Sequence, residues 1–131
     1  MRWFNKGKPK ELWDEVIEWP IDDLEAARRI RDICNSAVGS AEKVGSKVGG
    51  AETKENKYDT DRYKRAAKTA MEIAIKLSDD LLRDAALCQI VALCVKANEL
   101  RTAAILCRAI QAVSVKDDML NEHPALRQVV T

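Results

Sequence analysis

Residues 85–95 read AALCQIVALCV, ten apolar residues in a run of eleven. A helix at a protein surface keeps one polar face. A segment apolar around its whole circumference is therefore the centre of a bundle, or a face buried by a partner. The run is too short to cross a bilayer, which takes about 20 residues. Its flanks supply helix ends. Ser78 reads as an N-cap, followed by Asp79 and Asp80, whose charges suit the positive end of a helix. Asn98 suits a left-handed C-cap. Beyond it, Leu100, Ala103, Ala104, Cys107 and Ile110 recur at helical spacing, which predicts a further helix over about 99–113. Residues 79–113 are thus expected to form an antiparallel helical hairpin at the core of the fold.

Upstream, Tyr63, Ala66, Ala67, Ala70, Ile73, Ala74 and Leu77 mark a helix capped by Thr60 or Asp61. Asp22 and Glu25 have the spacing of a capping box. They open a helix whose apolar face carries Leu24, Ala27, Ile30, Cys34 and Ala37. The stretch SAVGSAEKVGSKVGG (36–50) then holds four of the chain's five glycines. It is not a phosphate loop: Gly39 and Gly45 have the wrong separation, Ser46-Lys47 the wrong order, and a helix precedes them. Ala37, Ala41, Gly45 and Gly49 stand four apart. On a helix they form a stripe that lets a neighbour approach closely. Two readings stand, a helix continuing to about 48 or a flexible linker. Residues 49–59 read as a loop and 114–131 as an irregular tail. A short helix is expected over about 10–19, from Leu12, Val16 and Trp19 with Trp13 and Ile17 alongside, stopped by Pro20.

The whole of 1–131 therefore reads as one all-α domain, a bundle of about five helices. Its 47% hydrophobic and 33% charged residues are those of a globular protein. The net charge of +1 gives no field to recruit nucleic acid or an anionic membrane, so neither is an expected partner. Cys34, Cys88, Cys94 and Cys107 lie in helical patterns and read as reduced thiols of a cytoplasmic protein. In an antiparallel hairpin, Cys88 and Cys107 are equidistant from the turn at Ala97-Asn98.

Residues 87–110 resemble a tetratricopeptide-type helical hairpin. The likeness rests on Leu87, Ile90, Cys94, Asn98, Leu100, Ala103, Cys107 and Ile110. Val91 departs from the small residue the family prefers, and Val115 stands where its proline would be. Residues 65–77 and 101–113 also resemble one another at an offset of 36. The resemblance implies a protein-binding scaffold.

No cofactor motif is present. Glu15 and Glu18, spaced E-x-x-E, suggest an Mg²⁺-dependent all-helical nucleotide hydrolase, but the later helices lack the second carboxylate pair it needs. His123 is the single histidine, and no nucleophile and base are placed beside it. The expectation is a non-enzymatic module that binds another protein, of adaptor, immunity or inhibitor type, as phage and mobile elements use against host proteins. The alternative is a self-assembling subunit in which a second copy covers 85–95. The basic tail 1–9 precedes seven acids in 11–25 that no base interrupts. The chain's aromatic anchors cluster there. Trp3, Phe4, Trp13, Glu15, Glu18 and Trp19 are the candidate partner-binding residues, since tryptophan is enriched at binding hot spots.

Overall fold

The structure, a computed structural model, describes residues 10–46 and 54–129. Among these it contains five α-helices and no strand: α1 (Asp23–Gly45), α2 (Lys54–Ala74), α3 (Asp80–Lys96), α4 (Leu100–Arg108) and α5 (Val113–Glu122). Short 3₁₀ turns cover Leu12–Asp14 and Pro124–Gln128.

α1, α2 and α3 run up, down and up. At one end the Asp23 carboxylate accepts the Ser78 hydroxyl and the Asp79 amide, each at 2.9 Å. Those hydrogen bonds, Ser78's foremost, hold Asp23 below the usual carboxylate range. At the other end Gly45 meets Lys96. A Cβ placed on Gly45 would lie 2.0 Å from the Lys96 carbonyl oxygen, so glycine is what admits the two backbones. Ala37 and Ala41, earlier in the same stripe, are fully buried. The helical reading of 36–46 holds, with the helix ending at Gly45; Gly49 and Gly50 lie outside the described residues.

α3 explains its own composition. Ile90, Val91, Leu93 and Cys94 are buried, because α1 and α2 cover one side and α4 the other. The helix is covered within the chain. It ends in a Schellman motif: Asn98 takes φ 59°, Glu99 N–H donates to Cys94 O and Asn98 N–H to Val95 O, both at 2.9 Å. The hairpin with α4 forms as expected, though α1, α2 and α3 share the centre and α4 lies outside it.

Several boundaries differ from the expectation. α2 begins at Lys54 rather than at Thr60 or Asp61, so 54–59 is helix and not loop. Buried Asp59 accepts the Ser40 hydroxyl at 2.9 Å, tying the added turn to α1. Leu24 is exposed, and Ala26 and Ile33 take the buried positions beside Ile30 and Cys34. α4 stops at Arg108, and residues 113–122 form α5 instead of an irregular tail. The cause is Asp84, whose buried carboxylate accepts the amides of Gln111 and Ala112 at 2.9 and 3.0 Å. Those bonds hold the chain out of the α4 helix and set Ala112 as the N-cap of α5.

The expected helix over 10–19 does not form. The chain makes the turn Leu12–Asp14, is extended at Glu15 and reaches a cis Trp19–Pro20 bond. A ten-residue helix is marginal in water, and here α1 and α2 offer better partners. Arg62 donates to both Glu11 carboxylate oxygens at 2.7 and 3.0 Å and to the Ser40 hydroxyl at 2.8 Å. Arg65 pairs with Asp14. Residues 11–20 thus form a strap along α2, running from Arg62 to Lys76.

Candidate functional site

The strap sets the tryptophans differently. Trp13 is 6% exposed, sealed in the core with the Arg62 guanidinium 5.1 Å above its ring. It is a packing residue and no surface anchor. Trp19, six residues on, is 39% exposed, with the Lys76 ammonium 5.0 Å over its ring. Trp3 and Phe4 lie outside the described residues. Glu15 is exposed and pairs loosely with Arg29 at 3.6 Å. Glu18 is exposed with no ion pair among the described residues. Both glutamates lie in the strap, not on a helix, so the shared helical face of an E-x-x-E metal site is not formed. Among the described residues no three His, Cys, Asp or Glu side chains group as ligands.

Between the strap and the end of α2 lies a groove of about 380 Å³. Ile17, Trp19, Ile73 and Ile75 give it an apolar lining, with Glu15, Glu72 and Lys76 at its edges. Ile75, just past α2, is 69% exposed. Open apolar side chains such as Trp19 and Ile75 on one groove mark an interaction surface more often than isolated ones do. The charge is uneven as well. Lys76 is occupied by the Trp19 ring, while Glu72 and Glu18 are exposed and make no ion pair among the described residues.

Of the candidate residues, the structure brings Glu15 and Trp19 to this groove, buries Trp13 in its wall and leaves Glu18 exposed outside the lining. Ile75 and Glu72 were missed. The available signal was Ile75 itself, an apolar residue between the inward-facing Ile73 and Leu77, out of phase with both.

The thiols are held toward their neutral form. Burial pushes Cys34 up to about 12 and also raises Cys94, Cys88 and Cys107. All four are free. The Tyr63 hydroxyl bonds Cys94 in the interior. No helix of the described residues is long and apolar enough to cross a membrane. No known protein family, characterised protein or solved structure matches this chain.

Proposed function

We propose that this chain is a small non-enzymatic protein-binding module, an adaptor or inhibitor, whose binding surface is the groove beside Trp19. The observation that carries the reading is the pairing of open apolar side chains, Trp19 and Ile75, with the acids Glu15 and Glu72 on the same groove. That combination suits a partner segment presenting apolar and basic side chains together. Trp19 supplies a rigid anchor and the acids select charge. The self-assembly alternative rested on an uncovered α3, and α3 is covered by its own chain. The hydrolase alternative rested on a helical E-x-x-E that the strap does not make.

The test is affinity capture from the source cell's lysate with the parent protein and with the Trp19→Ala/Ile75→Glu variant. A single stoichiometric partner, lost in a variant that melts at the parent temperature, supports the reading. A partner retained by that variant places the surface elsewhere. Recovery of the parent protein alone overturns the binding function.

A further inference from the structure

A second cavity, of about 190 Å³, lies where α4, α5 and the 3₁₀ turn Pro124–Gln128 meet. Its floor is apolar: Cys107 and Leu126 are buried, and Leu120 and Val129 are partly so. Its remaining charged lining is Arg108, Lys116 and Arg127, and no acid lines it. Arg127 donates to the neutral Asn121 amide oxygen at 2.6 Å. Lys116 makes no ion pair among the described residues. The acids of α5, Asp117, Asp118 and Glu122, stand about 100°, 200° and 240° around the helix from Lys116, and none of them lines the cavity.

About 150 Å³ is enough for a benzene-sized group, so this apolar floor has room for a ring or a short alkyl chain. The mouth then meets whatever the hydrocarbon carries, and cations at its rim favour an anion. We propose that this cavity is a binding site for a small monocarboxylate with an apolar body. The body rests on Cys107 and Leu126, and the carboxylate meets Lys116 and Arg127. The site is separate from the Trp19 groove and does not depend on its function.

Hexanoate is the probe, titrated into the full chain while backbone amide shifts are followed by NMR. Saturable shifts at Ala104, Cys107 and Leu126 with a Kd on the order of 1 mM are expected for so small a ligand. Hexanol and hexylamine should bind at least tenfold more weakly, and Lys116→Gln/Arg127→Gln should weaken hexanoate at least tenfold. Arg31→Gln/Lys64→Gln removes the same charge from α1 and α2 and should leave the affinity unchanged. Hexanol binding as well as hexanoate, equal loss in both double variants, or no saturable shift at these residues would each overturn the proposal.

Discussion

Gly45 and Gly39 stand six residues apart on α1 and have opposite reasons to be glycine. At Gly45 a methyl group would strike the Lys96 carbonyl, with Lys96 C at 3.1 Å and Ala97 C at 3.3 Å behind it. All three are backbone atoms that cannot rotate aside. Gly45→Ala is therefore expected to cost about 1–3 kcal/mol, as overpacking does. At Gly39 nothing lies within 4 Å of the added methyl. Gly39→Ala should stabilise by about 0.5–1 kcal/mol, because alanine loses less backbone freedom on entering a helix. Urea denaturation of the two variants checks the pair, and shifts of the same sign would contradict the packing of α1 on α3. The sequence carried the spacing of Ala37, Ala41 and Gly45. That spacing put Gly45 and not Gly39 on the close-approach face, but it did not carry that the neighbour is the C-terminal end of α3, because the pairing of two helices is not written in the period of one.

Elements formed where periodicity and tertiary contact agreed, and shifted where one polar residue outweighed the pattern. Asp84 is the clearest case. Its sequence neighbours place it on an ordinary helix, yet its carboxylate binds two amides from residues 27 and 28 positions away. Removing it leaves those donors unpaired in a partly buried setting. Asp84→Ala is expected to lose about 2–3 kcal/mol, since hydrogen bonds to a charged group carry more than neutral ones. Asp84→Asn keeps an acceptor and should lose less. Denaturant midpoints order the three proteins, and an alanine variant as stable as the parent would remove Asp84 from its role. The strap shows the same competition. Apolar spacing over 10–19 was real, but Glu11 and Asp14 found Arg62 and Arg65 on α2, and a helix too short to hold itself gave way.

Across the whole molecule, burial ranks the four thiols. Cys34, Cys94 and Cys107 are buried and Cys88 is partly open. Burial raises every one of them, so each needs both exposure and alkali before its thiolate appears. A thiol reagent at pH 8 should label Cys88 first. The other three should wait for the bundle to open, and Cys88→Ser should abolish the fast phase. Simultaneous labelling of all four would show that the up-down-up core opens as easily as its surface breathes. The same interior bears on the proposed function: Ile90, Val91, Leu93 and Cys94 of α3 are buried by their own chain, and the groove used in the proposal lies at the strap and the end of α2.

The sequence by itself determined the helical class, the need of residues 85–95 for cover on every side, the left-handed turn at Asn98 and the capping by Asp22. Each is a local matter of side-chain period and backbone propensity, legible within a few residues. Only the tertiary structure decided that 11–20 is a strap, that α2 starts at Lys54, that α4 and α5 are separate, and that Trp13 is buried while Trp19 is open. Those outcomes depend on Ser40 with Asp59, Glu11 with Arg62 and Asp84 with the amides of Gln111 and Ala112. Such pairs are distant along the chain, and they exist only once the helices have met.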